Sequence, residues 1–134
     1  MYCYDLTQKN ERKVLKQKQN MPSKKIDFTL TFVDDFIYVI CGKDSTNEIV
    51  NSCEAYNVVK NEWKIIASTH KKRYAATAVA LHVMQKIYLF GGRGDHNNSM
   101  TKEIEEYSIF QNVWKIIKLK EPHEWVPVEV CSSV

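Results

Sequence analysis

The chain has 134 residues and a net charge of +3, from 19 Lys and Arg against 16 Asp and Glu. The basic excess lies in the first 25 residues, where the lysines are scattered without interleaved aromatic side chains or a phosphate-binding glycine loop. We therefore expect no nucleic-acid partner. No apolar stretch approaches the roughly 20 residues of a membrane span, and no signal peptide precedes the first predicted strand, so we expect a cytoplasmic protein without membrane contact.

Short β-branched or apolar runs predict strands along most of the chain. The runs lie at 29–33, 36–41, 63–66, 77–81 and 87–90, with others around Cys53 and Tyr107. Nearly continuous apolar runs of this length suit strands that are covered on both faces. Polar stretches separate the runs, and no segment carries a sustained 3.6-residue apolar stripe. The predicted class is therefore all-β.

The sequence repeats itself. Residues 54–66 return as 105–117, with identical residues at seven of the thirteen positions, whereas chance identity is roughly one position in seventeen. Residues 37–42 likewise return as 87–92. The two offsets are 51 and 50 residues. A nearly fixed period of this size predicts a repeat fold in which single units cannot each bury a core alone.

Each repeat has room for one small sheet. Four strands of about five residues with their turns fill roughly 50 residues, which predicts one four-stranded antiparallel sheet per unit. We assign the C-terminal strands of a preceding unit to residues 1–20, two complete units to 21–67 and 68–118, and the start of a further unit to 119–134.

The unit resembles the kelch repeat, which has an early basic residue, a hydrophobic run ending in Gly-Gly, then Glu-x-Tyr and Asn-x-Trp. In the first unit the matching residues are Lys25, Cys41, Gly42, Glu54, Tyr56, Asn61 and Trp63. In the second they are Arg73, Gly91, Gly92, Glu105, Tyr107, Asn112 and Trp114. The resemblance implies a kelch-type β-propeller in which each unit is one blade.

These residue types have structural explanations. Paired glycines permit positive φ and close backbone approach at a tight strand exit. Tyr and Trp offer large apolar area with one polar group, and Asn suits a left-handed turn. We therefore expect Trp63 and Trp114 to be buried between blades. Cys41 replaces the first glycine of its pair, which suggests that the backbone freedom of this glycine is not strictly needed in the first unit.

Ring closure limits what this chain can form. Propellers close with about four to eight blades, so two units and two pieces leave blade faces and strand edges open. Either the chain is part of a longer protein, or copies of it self-associate through the open blade edges.

The cysteines and histidines do not predict a metal site. Cys3, Cys41, Cys53 and Cys131 show no Cys-x-x-Cys spacing, and the four histidines form no i, i+3 or i, i+4 cluster with them. We expect reduced core thiols, no metal and no cofactor.

The resemblance leaves two classes of function. The first is a non-catalytic protein-interaction module, a scaffold or adaptor that is actin-associated or recognises ubiquitin-ligase substrates. The alternative is part of a propeller enzyme such as a galactose-oxidase-like copper oxidase, which would need His and Tyr ligands converging on one centre. We favour the first, because the sequence shows no such ligand set.

In this family's architecture the loops after the Gly-Gly strands and between the blades emerge on one face. Here they are 43–51, 93–102 and 67–72, which are polar and poor in apolar anchors. The candidate partner-binding residues are Lys71, Lys72, Arg93, Asp95 and His96. Their charge predicts salt-sensitive binding of an acidic protein partner.

Overall fold

The computed structural model describes residues 2–3, 16–94, 97 and 99–118. The strands are β1 (Tyr2–Cys3), β2 (Lys16–Gln17), β3 (Lys25–Ile26), β4 (Thr29–Val33), β5 (Phe36–Asp44), β6 (Ile49–Asn57), β7 (Glu62–Ile66), β8 (Thr77–Leu81), β9 (Lys86–Phe90), β10 (Arg93–Gly94), β11 (Ser99–Met100), β12 (Ile104–Ser108) and β13 (Val113–Ile117). The described ranges contain no α-helix, and one 3-10 turn, His82–Met84, lies between β8 and β9. The prediction of an all-β chain is confirmed.

Two sheets of the same design follow each other along the chain. In the first blade, β4, β5, β6 and β7 are paired in sequence order, all antiparallel, and β3 pairs with the end of β5. In the second blade, β8, β9, β12 and β13 are paired in the same way. The register is also conserved, because Tyr56 lies opposite Trp63 and Tyr107 lies opposite Trp114. The four-stranded antiparallel units expected from the period are therefore present.

The two blades pack face to face and share one core. Val33, Tyr38 and Ile40 of the first blade lie in one buried cluster with residues of the second. The rings of Tyr38 and Tyr107 meet edge to face, with centroids 6.1 Å apart, a favoured geometry for aromatic pairs. The apolar faces of the two blades thus pack against each other, and neither blade could bury its face alone.

The short strands β1 and β2 pair antiparallel, with Tyr2 opposite Gln17. This pairing is compatible with the assignment of 1–20 to the end of a preceding blade, which stays a prediction. The assignment of 119–134 to a further blade lies outside the described residues.

The exits of the two buried strands have the same backbone shape. Cys41 has φ of 56° and Gly91 has φ of 58°, so both are left-handed. The sequence suggested that the backbone freedom of glycine is not strictly needed in the first unit; the left-handed conformation is retained there, and a cysteine adopts it. At the equivalent Gly91 a Cβ would have no neighbour within 4 Å, so side-chain space does not demand glycine at that position.

The second glycine of each pair has a stricter role. Gly92 has φ of 85°, and a Cβ there would lie 2.9 Å from the carbonyl oxygen of Tyr74 and 2.9 Å from Cβ of Ala76. Gly42 is in the same situation, at 2.7 Å from the carbonyl oxygen of Ile26. These positions require glycine both for conformation and for space.

The glycine pair gives a matched test. We expect Gly91→Ala to cost about 1–2 kcal/mol, the usual cost of a left-handed side-chain residue, and Gly92→Ala to cost clearly more because its Cβ also meets backbone. Urea unfolding of both variants measures the difference. Equal losses would contradict the close approach at Gly92.

Candidate functional site

The early basic residue of the second repeat forms a fully buried ion pair. The Nη2 atom of Arg73 lies 2.6 Å from Oε1 of Glu105, and both side chains are fully buried. Arg73 also donates through Nη1 to the carbonyl oxygens of Gly91 and Glu103, each at 3.0 Å. A buried charge is tolerated when it is paired and hydrogen-bonded in this way.

Glu105 holds the connection between the blades. Its Oε2 accepts a hydrogen bond from the amide of His70 at 2.7 Å, and its Oε1 accepts one from the amide of Lys71 at 3.2 Å. The backbone of this connection is therefore fixed by the carboxylate that neutralises Arg73. The amide of Lys71 is thus held from the buried side of the connection, and Lys72 follows it in the chain.

The first repeat has a related ion pair. The Nζ atom of Lys25 lies 3.3 Å from Oε2 of Glu54 and donates to the carbonyl oxygen of Ser52 at 2.8 Å. Both charged side chains are buried. Ser23 donates to the other oxygen of Glu54, in the place where backbone amides approach Glu105. A single ammonium replaces the guanidinium, which leaves fewer donors to tie neighbouring strands together.

The motif Asn forms a clamp with its neighbours. Oδ1 of Asn112 accepts hydrogen bonds from the hydroxyl of Tyr107 and from the amide of Ala67, both at 2.8 Å. Nε1 of Trp114 donates to the carbonyl oxygen of Ala67 at 2.8 Å. The residue that leaves the first blade is thus held on both its backbone groups by the second blade. Asn112 adopts the left-handed conformation that this turn requires, with φ of 51°.

The same clamp occurs one unit earlier, on Gln19. Asn61 accepts from the hydroxyl of Tyr56 at 2.7 Å and from the amide of Gln19 at 2.8 Å. Nε1 of Trp63 donates to the carbonyl oxygen of Gln19 at 3.0 Å. Gln19 therefore occupies the position that Ala67 occupies 48 residues later.

The two tryptophans differ in burial. Trp114 is 3% exposed, as expected, whereas Trp63 is half-buried. Substantial burial of Trp63 at a blade interface stays a prediction. Trp114 packs against the first blade. Trp63 instead borders an open apolar groove of about 660 Å³ on the far face of the first blade.

The groove itself was not predicted from the sequence. Its lining includes Leu30, Phe32, Ile37 and Val39 of β4 and β5. In the second blade the equivalent face carries Ile87 and Leu89, which the first blade covers. The sequence signal for this groove is the alternation of apolar Leu30 and Phe32 with threonines in β4. Such alternation predicts an apolar strand face, but it does not show what covers that face.

The tryptophans provide a second test. We expect Trp114→Ala to cost about 3–5 kcal/mol, as for other buried aromatic side chains, and Trp63→Ala to cost less, because its ring loses less buried contact. Chemical unfolding of the chain with each substitution measures both values. A larger loss for Trp63→Ala would contradict the burial difference.

The ion pair provides a third test. Glu105→Gln leaves Arg73 buried without its counter-charge, and we expect a loss of about 3–5 kcal/mol. Glu106→Gln is the matched control, because its partners Lys86 and Tyr88 are only partly buried, and we expect at most about 1 kcal/mol. Equal urea midpoints for the two variants would show that the buried pair contributes little.

The loops opposite the hairpin turns form the candidate partner-binding surface. A polar hollow of about 330 Å³ is lined by the residues His70, Lys71, Lys72, Gly94, Ser99, Met100, Thr101 and Glu103. Lys71 and Lys72 are therefore brought together with the β10–β11 hairpin, as their loop positions suggested. Arg93 is exposed and its backbone pairs with Tyr74 next to this hollow. Asp95 and His96 lie outside the described residues.

The charges around the hollow are weakly held. Nζ of Lys71 lies 4.0 Å from Oε1 of Glu103, and both side chains are about half exposed. The nearby loop after β5 is ordered by Asp44, whose pKa is lowered chiefly by the hydrogen bond from the Thr46 side chain and then by the amide of Glu48. A loose surface ion pair can be replaced by a ligand carboxylate at little cost.

Two buried thiols lie beneath the connection. Sγ of Cys41 is 3.2 Å from Oγ1 of Thr69. The hydrogen bond from the Cys53 thiol lowers the pKa of Cys41 and raises that of Cys53. Both are free cysteines. Within the described residues no group of three or more His, Cys, Asp or Glu side chains is placed to hold a metal ion.

The repeated, face-to-face antiparallel sheets define the chain as a β-propeller-type repeat protein. Residues 26–69 match the model of the Kelch motif family. Together with the buried basic–Glu pairs and the Asn–Trp clamps, this match supports a kelch repeat architecture for the chain.

Curated relatives agree with this assignment. The chain is 24% identical to Kelch repeat and BTB domain-containing protein 2 of Cowpox virus (strain GRI-90 / Grishak), over 86% of this chain and 22% of that protein. It is 29% identical to Kelch-like protein 40 of Xenopus laevis, over 71% and 15%. It is also 29% identical to tRNA wybutosine-synthesizing protein 2/3/4 of Oryza sativa subsp. japonica, over 72% and 9%. The chain thus spans about a fifth or less of the length of these relatives.

Proposed function

We propose that this chain is a non-catalytic protein–protein interaction module built of kelch repeats. One observation carries the proposal: the motif side chains are used for internal contacts, while the loop end presents a polar hollow with exposed cationic side chains. Arg73 and Glu105 pair with each other and with backbone groups, and Asn112 and Trp114 hold the connection. The polar and cationic side chains that remain available to a partner lie on the loops.

The finer role that we propose is a scaffold or adaptor, either actin-associated or recognising ubiquitin-ligase substrates. A relative whose name includes a BTB domain supports an adaptor, since such a domain suits ligase assembly. No helix in the described part of the chain has the length and apolarity to cross a membrane. A cytoplasmic location is part of the proposal.

The enzyme alternative has less support. A kelch-type copper oxidase needs several metal ligands at one centre, and the described residues offer no such group. The relative named for tRNA wybutosine synthesis matches this chain over only 9% of its own length. Its name is therefore weak support for catalysis in this segment.

We propose the same unit boundaries as before, with blades at 21–67 and 68–118 and partial units at 1–20 and 119–134. Self-association through open blade edges is a further part of this proposal, because two blades are fewer than the roughly four to eight of closed propellers.

For the loop end we propose an acidic protein partner. Lys71 and Lys72 line the hollow, and Arg93 lies beside it. Such exposed cations attract a carboxylate-rich segment over a distance of about one Debye length, roughly 8 Å at physiological salt. Asp95 and His96 are proposed as neighbouring polar contacts. The binding is expected to be modest and salt-sensitive, because aromatic anchors do not line the hollow.

A charge reversal tests the loop end. We expect Arg93→Glu with Lys72→Glu to weaken binding of a fluorescein-labelled Glu-rich peptide about tenfold or more at low salt, equivalent to about 1.4 kcal/mol or more. Fluorescence anisotropy measures this, and moderate salt should reduce the wild-type affinity.

The matched control is Lys64→Glu, an exposed charge reversal on β7 away from the hollow. It should leave peptide binding unchanged. Equal weakening by Lys64→Glu would show a general charge effect, and unchanged binding by the double variant would move the partner surface elsewhere.

A further inference from the structure

The four hairpin turns form a continuous ridge at the end of the blades opposite the polar hollow. We call the turns at 34–35, 58–61, 82–85 and 109–112 the turn ridge. In a four-stranded meander the first and third connections lie at one end, so both blades contribute their turns to the same end. Hydrogen bonds link neighbouring turns: Val58 N to Asp35 O at 2.9 Å, Gln85 Nε2 to Asp34 Oδ2 at 3.0 Å, and Ile109 N to Gln85 O at 3.1 Å.

The ridge carries large apolar side chains that are mostly exposed to solvent. Their exposed fractions are Val59 72%, Val83 100%, Met84 60% and Phe110 88%. Hairpin turns ordinarily carry Gly, Asn, Asp, Ser or Pro. These apolar tips also recur in the repeat, because Val59 and Phe110 are equivalent positions 51 residues apart.

Neither turn formation nor the core explains these tips. The left-handed positions of the turns are filled by polar residues, namely Asp34, Asn61, Gln85 and Asn112. Asn57 in addition accepts the amides of Val59 and Lys60 at the turn of the first blade. The apolar tips therefore do not set the turn geometry, and most of their surface is left unburied within the described chain.

A pair of carboxylates lies in the middle of the ridge. The turn at Asp34 and Asp35 is bonded to the turn of Val58 on one side and to that of Gln85 on the other. Both aspartates are exposed. Lys60 is the one Lys or Arg within the four turns, and neighbouring Lys86 is engaged by Glu106 at 2.9 Å.

We propose that the turn ridge is a second interaction surface, which binds a protein segment carrying apolar side chains on both sides of a Lys or Arg. The apolar residues of the partner cover Val59 on one side and Val83, Met84 and Phe110 on the other. Its cation lies between them, on Asp34 and Asp35. Exposed apolar patches of this kind mark interaction sites, and aromatic anchors supply most of the affinity in such sites. This surface is independent of the acidic partner proposed for the loop end.

The test uses the whole chain and a synthetic peptide in which leucines flank a central Lys-Arg pair, with a fluorescein label. A second peptide has Glu-Glu at the centre. We expect the Lys-Arg peptide to bind the wild-type chain more tightly than the Glu-Glu peptide. Val83→Asn with Phe110→Asn should weaken its binding about tenfold or more. Both side chains are solvent-exposed, so the fold should persist, as thermal unfolding checks.

A charge reversal at the centre of the ridge discriminates more clearly than loss of the apolar tips. Asp35→Lys should weaken binding of the Lys-Arg peptide and strengthen binding of the Glu-Glu peptide. Ile65→Asn is the matched control, since Ile65 is exposed on β7 outside the ridge, and it should change neither affinity. Lys72→Glu, at the loop end, should also leave the Lys-Arg peptide bound as before.

Several results would overturn the proposal. They are equal binding of the two peptides by the wild-type chain, no binding of either, or equal loss with Ile65→Asn. Preference for phosphatidylserine vesicles over phosphatidylcholine vesicles, lost in Val83→Asn with Phe110→Asn, would identify a membrane as the occupant instead. The acidic centre of the ridge predicts the opposite, because it repels anionic lipid.

Discussion

The buried ion pair between Arg73 and Glu105 is the contact on which the second blade and its connection to the first depend. A guanidinium without solvent needs a counter-charge and acceptors, and here it takes the carboxylate and two carbonyl oxygens. The carboxylate in turn accepts the amides of His70 and Lys71. One pair therefore links the early part of the unit, the strand exit, the third strand and the chain between the blades. Removing either partner would leave the other buried and unpaired.

The Asn–Trp clamp occurs in both units and joins each blade to the segment that precedes it. Asn112, Tyr107 and Trp114 hold Ala67, and Asn61, Tyr56 and Trp63 hold Gln19 in the same way. Each blade thus fixes the strand end that precedes it, and the register of one unit is passed to the next. This is why stability in such chains depends on neighbouring units. It also explains why Trp63 is half-buried: its clamp is complete, but the apolar groove beside it is open in the described structure.

The two ends of the blades offer different chemistry. The loop end has a polar hollow with loosely held cations, and the turn end has exposed apolar tips around two carboxylates. We expect binding at the loop end to depend on long-range charge attraction and on salt concentration. We expect binding at the turn end to depend on the burial of apolar area. A module with both could hold two partners at once, because the ends are separated by the length of the strands. The paired strands run between the two ends and act as the spacer between these surfaces.

The all-β class, the period and the motif positions could be predicted from the residues alone, because identical residues recur at a nearly fixed spacing and strand-length apolar runs fill each unit. The residues also indicated that Lys71 and Lys72 lie on a loop surface, since connecting segments run over the surface of a domain. The tertiary structure was needed to show that Cys41 adopts the left-handed conformation of a glycine, because the register shift between Ile40 and Gly42 depends on how β5 pairs with β6. It also decided the unequal burial of Trp63 and Trp114, which depends on what packs against each blade face. The turn ridge was likewise a tertiary result: Val59, Val83 and Phe110 are far apart in the chain, and only the pairing of the strands brings their turns to one end.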